Sequence, residues 1–580
     1  MRYALRTSVS KGLKLAIFNS CDGLGLANSL SDLGIPQIIV MREPVPDPVA
    51  QSFLRYFLKA FARREPFYLA VRQAREQLQG LEGEFPCATW LPVIFQNPVA
   101  LLIQWVHQRF SRGLAIGVGS AVVGLVAMTM TIATLPLPWG LPWQSSSPTP
   151  STPLTPPTLD DSRFSLGERV LITAQSGSEK RAGTQAFASK DYATAITKFR
   201  SYLQGDRNDP EARIYLNNAR AAQHGKWLRV AVSVPIGGNL NVDQEILRGV
   251  AQAQDDVNRR GGIGGKFLQV EIANDDNEQT VAAQKIAPQL IANPSILAVI
   301  GHNASEVSLA AAPIYNQGGL VMISPTSGAN ELSNLGEYIF RTVPSVRVDA
   351  SNLAQYALKM AKKTKFATCL DSTSPYSVSI HKEFIQSVLE NGGVISKIPC
   401  DLADPSFNSD RFLSQAIADG VDGLLLTSSI ERVNQGIRIA KSAKGKLALF
   451  GGSTMYMFQT LELGREDVNG MVIAVFWHPS LTRNTSFIKQ AKQLWGGAVN
   501  WRTVGSYDAA QAIITGLQYQ TTRNGLQKAL RSPDFVAIGA ASKIQFVPSG
   551  DRKREPGVGI LVQVRPDSKS PVGYNFVPLK

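Results

Sequence analysis

Histidine and cysteine are scarce in this chain, at five and four among 580 residues. The cysteines, at 21, 87, 369 and 400, follow no metal-binding spacing, and His107, His224, His302, His381 and His478 are scattered, so neither a metal site nor a cofactor is expected. Charge of one sign is never gathered into a block: the net +14 comes from lysine and arginine spread along both halves. With no helix-turn-helix and no basic-aromatic stripe, nucleic acid is not an expected partner. The sharpest absence is local. From Gly113 to Leu135, 23 residues carry no charge at all, and about 20 apolar residues suffice to cross a bilayer. Too much chain precedes this run for a cleaved signal peptide; a buried core helix is the other reading. Arg109 and Arg112 stand just before it, and nothing basic occurs again until Arg163. That asymmetry places the N-terminal part in the cytoplasm and the C-terminal part outside the membrane. Gly113, Gly117, Ala121 and Gly124 leave room for close helix packing, which would allow a homodimer.

Beyond the span, Leu135–Trp143 combines two tryptophans with prolines, as suits a membrane-interface exit. Ser145–Thr158 is almost entirely Ser, Thr and Pro and cannot bury a core, so residues 136–165 read as an extended, semi-rigid linker. Residues 168–223 then read as helices broken by a turn at Asn208-Asp209-Pro210. The pattern resembles one tetratricopeptide-type hairpin plus part of a third helix. Such repeats need stacked neighbours, so a plain helical spacer docked on the chain after Trp227 is an equal alternative.

What is present in quantity lies after Trp227, in 354 residues that can bury a large core. The stretch from Val299 to Pro325 runs apolar strand, Gly301, polar loop, a helix with apolar positions Val307, Ala310, Ala311 and Ile314, then Gly318-Gly319 and a second apolar run, Leu320–Ile323. That is a βαβ unit. In such units small anionic groups bind where the loop leaves the strand and a helix begins. Ser305 stands at that point, and Ser324 and Thr326 hold the equivalent place after the next strand. Helix capping is the alternative role for these hydroxyls. The same unit opens at Leu228–Val234, with a helix near Gln244–Asn258, the turn Gly261-Gly262-Ile263-Gly264-Gly265 and a strand ending in Asp275-Asp276.

In this order and spacing the motifs resemble the type I periplasmic binding proteins that serve branched-chain amino acids and amides. The resemblance runs from about 227 to 580. It includes the Gly301-His302-Asn303-Ala304-Ser305 loop, Glu331-Leu332, Phe340-Arg341-Thr342, Tyr376, Ile544-Gln545-Phe546 and Gly550-Asp551. It implies a two-lobed α/β clamshell that closes on a small ligand, with lobe 1 from about 227–343 and 471–560. Lobe 2 would comprise 346–469 and the C-terminal tail.

Carried over residue by residue, the family's pocket places Ser305 on the serine that holds the ligand carboxylate. Thr326 falls on the residue whose backbone contacts the ligand, and Gly328 replaces a hydroxyl residue there. Tyr376 falls on a lobe 2 tyrosine, Ser429 replaces an aromatic, and Ser453 replaces the acid that receives the ligand ammonium. His302 would line the loop beside Ser305. A buried ammonium needs a carboxylate or several acceptors, so a neutral or anionic ligand fits better than a zwitterion unless Glu431 or Glu462 supplies the charge.

Residues 1–107 resemble the C-terminal half of a caspase-like CHAT domain. The resemblance rests on Asn19–Gly23, Gly34-Ile35-Pro36, Asp47 before a helix, and Ala70–Arg75. Cys21 would be that family's nucleophile. A thiol needs a base near neutral pH, yet no histidine precedes His107 and only about twenty residues precede Cys21. The expectation is therefore a degenerate or truncated module, with a cysteine peptidase through Cys21 as the disfavoured alternative, and no enzyme overall. Cys369 and Cys400 would both be external, on what read as neighbouring strands, which rarely offer disulfide geometry; their pairing is left open. The expected protein is a membrane-anchored extracytoplasmic solute binder. Its implied partners are a small molecule, the membrane through 113–135, and an ABC permease or a cytoplasmic signalling component.

Overall fold

The computed structural model describes residues 13–18, 35–42, 47–63, 65, 67–82, 85, 88–96 and 161–579, apart from 174–175, 237–239, 444, 482–483 and 556–558. It divides into two units, Met1–Ser147 and Pro148–Lys580. In the first, β1 (Leu15–Phe18) runs parallel to β2 (Gln37–Met41), which runs antiparallel to β3 (Pro92–Gln96). Every residue of β2 is buried, as a strand covered on both faces requires. Ile39 and Met41 pack with Phe53 and Phe57 of the helix Asp47–Ala62 and with Ala70 of the helix Phe67–Gln77. Ile38 and Val40 pack with Ala16 on the other face. Cys21, the sequence from Gly25 to Leu33 and the charge-free run Gly113–Leu135 lie outside the described residues. Among the described residues no helix is long and apolar enough to cross a membrane.

The second unit is built on two sheets. One has the order β4 (Phe164–Ser165), β6 (Phe267–Asn274), β5 (Trp227–Val234), β7 (Ile296–Ile300), β8 (Val321–Ser324), β9 (Ile339–Arg341), parallel from β6 to β9 with β4 antiparallel at the edge. The other has the order β11 (Val394–Ile395), β10 (Lys365–Leu370), β12 (Gly423–Thr427), β13 (Ala448–Gly451), β14 (Val472–Val475), β17 (Ile560–Pro566), β18 (Tyr574–Pro578). A short antiparallel pair, β15 (Ala537–Ile538) and β16 (Lys543–Ile544), stands apart. Apolar runs flanked by amphipathic helices form buried parallel strands because both faces are covered. The helices Leu240–Arg259 and Trp501–Tyr519 lie so close that a Cβ on Gly249 would sit 2.1 Å from Ser506 Oγ.

Two sequence boundaries need correction. Residues 472–475, expected in lobe 1, form β14 of the second sheet, because a wholly buried apolar strand needs partners on both edges and finds them in β13 and β17. Lobe 1 regains the chain only with the helices Thr485–Trp495, Trp501–Tyr519 and Arg523–Arg531. At the other end, the last residues of the expected linker are strand β4, where buried Phe164 extends the first sheet and Arg163 pairs with Asp276 at 2.5 Å.

Residues 178–224 form three helices, Ser178–Ala188, Tyr192–Gly205 and Pro210–His224, and the third is part of lobe 1. Its Asn218 donates to the carbonyl of Val270 (2.7 Å) and accepts from the Val270 amide (2.9 Å), completing β6 where β4 does not reach. Asp209 caps this helix by accepting from Ala212 N, with Pro210 at its first position. Lys180, fully buried, holds Asp209 and Glu211 at 2.6 Å each.

Cys369 and Cys400 are joined by a disulfide. The reservation about adjacent strands does not apply, because β11 ends at Ile395 and the chain then runs irregularly along β10, with Leu370 N donating to Cys400 O. This brings the two Cα atoms to 4.6 Å, within bonding range.

Replacing Lys180 by methionine leaves two carboxylates buried without their cation and is expected to destabilise the second unit by roughly 3–5 kcal/mol in urea unfolding. The triple variant K180M/D209N/E211Q, which removes all three charges, should recover most of that loss.

Candidate functional site

Both sheets present the carboxyl ends of their parallel strands to one cleft, the usual place for a ligand in such folds. Asn303–Glu306 come after β7 and Thr326 after β8; Ser374 and Tyr376 come after β10, Ser429–Glu431 after β12, and Ser453 and Thr454 after β13. Trp501 and Arg502, at the start of the helix Trp501–Tyr519, complete the lining of a space of about 430 Å³, counting its open mouth.

Ser305, almost fully buried, is the first residue of the helix Ser305–Gln317. Ala304 in the capping position supplies no side-chain acceptor, so the helix start is left uncapped at the cleft. The Ser305 hydroxyl accepts from Ala329 N at 3.2 Å rather than capping its own helix, and its proton remains to be donated. The Thr326 hydroxyl donates to the Asn303 carbonyl (2.7 Å), fixing the two loops against each other. Across the cleft, Tyr376 Oη accepts from Ser453 N (2.8 Å) and bonds Ser453 Oγ (3.0 Å). Gly452 permits this approach, since a Cβ there would lie 2.5 Å from the phenol oxygen. Burial pushes the Tyr376 hydroxyl up to about 12, so it stays protonated.

Five of the seven predicted residues, Ser305, Thr326, Tyr376, Ser429 and Ser453, thus meet around one cavity. Two do not line it. Ser324 is sealed beneath the loop, where its hydroxyl donates to the His302 carbonyl and accepts from Ser327 N. Gly328 packs where a Cβ would strike Val346 at 2.9 Å. His302 also faces inward: it is fully buried, with Nδ1 2.5 Å from Asp275 and Nε2 3.3 Å from the Tyr315 hydroxyl. It braces the loop from behind. Of the two candidate acids, Glu431 lines the cleft, whereas Glu462 is exposed on the helix Phe458–Gly464 and does not.

Sequence reasoning missed Arg502. It is 2% exposed, and its Nε and Nη2 are buried without a hydrogen-bond partner. The guanidinium lies 4.5 Å over the Trp501 ring. Desolvation pulls it down to about 10, with the Glu245 carboxylate working the other way, so it is charged at neutral pH. Glu245 is itself held by Arg248 at 2.6 Å. The only local signal is Asn500, which caps the helix by accepting from Arg502 N; a single arginine there reads as surface. Glu306 was missed too. Burial raises its carboxyl to about 7, and Glu431 and Asp371 add to the effect.

The profile of the periplasmic binding proteins matches residues 228–565, more than half of the chain. The chain belongs to the periplasmic binding protein family. A CHAT domain profile matches residues 3–97. The Leu/Ile/Val-binding protein of Escherichia coli K12 is 26% identical over 297 residues, 50% of this chain and 78% of that protein. A leucine binding protein from Thermotoga maritima superimposes with a TM-score of 0.53 at 20% identity, over 60% of this chain and 97% of that one. A solute binding protein of an ABC transporter from Rhodopseudomonas palustris, in complex with 3,4-dihydroxybenzoic acid, gives 0.52 at 19% identity, over 61% and 96%. These likenesses show the fold.

Asp349 lies within the electrostatic reach of Tyr376, buried, with Oδ1 unpartnered and its carboxyl raised by desolvation to about 7. A raised carboxyl keeps its proton in the folded state while the unfolded chain has lost it, so stability falls as pH rises between the two values and stays lower above them. Asp349→Asn should therefore change little near pH 4. Above pH 7 it should raise the unfolding free energy by roughly 2–4 kcal/mol, and parallel urea titrations at both pH values will show it.

Proposed function

We propose that the second unit is an extracytoplasmic solute trap that closes its two lobes on a small carboxylate-bearing molecule without transforming it. The observation that carries this reading is the uncapped start of the helix Ser305–Gln317, facing the Tyr376–Ser453 pair across the cleft. A helix start offers free N–H groups and a favourable dipole to an anion, and Ser305 adds a hydroxyl donor. Of the seven residues carried over from the family, Ser305, Thr326, Tyr376, Ser429 and Ser453 form this proposed binding set. The relatives fit the class: one is named for leucine, isoleucine and valine, and a structural neighbour holds an aromatic carboxylic acid. Hinge closure between lobes joined by crossovers supplies the trapping step.

In this reading residues 113–135 anchor the chain in the membrane with the trap outside, and 136–160 space it from the lipid. The solute is then handed to an ABC permease or reported across the membrane. The CHAT-profile match at 3–97 on the same chain favours reporting.

A thermal-shift panel of amino acids, amides and carboxylates on the full chain should find a stabilising solute, since ligand at a hundred times its dissociation constant adds roughly 2.7 kcal/mol. Ser305→Ala should then weaken the best carboxylate by roughly 1–3 kcal/mol in calorimetric titration. Unchanged affinity removes Ser305 from the site.

A further inference from the structure

The part of the cleft around Tyr376 departs from an amino-acid site. Where the family resemblance places an acid for a ligand ammonium, this chain has Ser453, bonded to Tyr376. Lining the same space as Tyr376 is a cation, Arg502, buried to 2% exposure. Its Nε and Nη2 lie on one edge of the guanidinium, the edge that takes a carboxylate through two parallel N–H···O bonds, and both lack a partner. Stacking on Trp501 at 4.5 Å occupies one face of the group and leaves that edge in plane. Glu245, the acid whose charge acts on Arg502, is committed to Arg248 at 2.6 Å, with Asn500 N also on it. Buried unpaired N–H groups on a charged side chain are costly, and an anionic ligand group would remove that cost.

We propose that the solute is a dianion, an α,ω-dicarboxylate or its close analogue, with one carboxylate at the Ser305 helix start and the other gripped by Arg502 beside Tyr376 and Ser453. This rests on the carboxylate-trap reading and names its ligand class. The acids at the cleft do not reverse the assignment. Glu431 is exposed and accepts from Asn277 at 2.8 Å, and Glu306, partly protonated near neutral pH, can donate to a carboxylate as readily as accept from an ammonium. An amino acid held by these acids through its ammonium is the competing outcome, and the test includes it.

The experiment is calorimetric titration of the full chain with succinate, glutarate, adipate and pimelate, each beside its monomethyl ester, and with leucine. At least one dicarboxylate should bind 30-fold or more tighter than its half-ester. Arg502→Gln should reduce that ratio to within about threefold, and Arg502→Lys should keep part of it. Equal binding of diacid and half-ester by the unmodified chain overturns the proposal, and so does a ratio that survives Arg502→Gln. Should Arg502→Gln fail to fold, the unmodified chain still decides through that ratio. Leucine binding best overturns the dianion while leaving the trap standing. No binding by any of these solutes also overturns the dianion.

Discussion

Arg341 is the largest fully buried side chain among the described residues, and much of the site hangs on how its charge is met. It ends β9, just before the chain first leaves lobe 1. Its guanidinium reaches Asp551 at 2.6 Å, the Ala329 carbonyl at 2.6 Å and Ser333 Oγ at 2.7 Å. One buried cation therefore binds the loop that touches Ser305, the outgoing crossover and the segment that leads to the last crossover. Arg552, next in the chain, pairs with buried Asp508 at 2.7 Å and donates to the Thr342 carbonyl. A buried charge must be matched by partners in fixed geometry. These two arginines thereby lock three distant stretches into the register that a hinge needs, while the lobes remain separate sheets.

The cleft is governed by the opposite condition. Its charges are not matched internally: Arg502 lacks partners on one edge, and Glu306 is raised toward neutrality by burial. A structural region so well paired at the crossovers and so poorly paired at the cleft is what differential binding requires, because only groups left unsatisfied in the free protein gain from a ligand. The hydroxyls differ again. Thr326, Tyr376 and Ser453 are already bonded to protein atoms and so hold their positions before any solute arrives.

Much of this is legible from residues alone. The βαβ unit over Val299–Pro325 appears as β7, the helix Ser305–Gln317 and β8, and the phrases Phe340-Arg341-Thr342 and Gly550-Asp551, far apart in the chain, meet through the Arg341–Asp551 bond. The errors share a cause. Val472–Val475 reads as a lobe 1 strand because an apolar run does not say which sheet it joins, and Phe164–Ser165 reads as linker because two residues carry no periodicity. Ser324 falls in the cleft by analogy with Ser305, yet it is still the last residue of β8, and its hydroxyl turns inward to the His302 carbonyl.

Sequence by itself determined the periodic elements, the family, and the hydroxyl residues at the carboxyl ends of the strands, since each depends on short-range pattern or on motif order. Only the tertiary structure decided which sheet each strand joins, that Cys369 and Cys400 bond, and that Arg502 Nε and Nη2 lack partners beside the cleft. Pairing and desolvation are properties of neighbours in space, and helix 501–519 meets the cleft residues only after the chain has passed through the second sheet and returned.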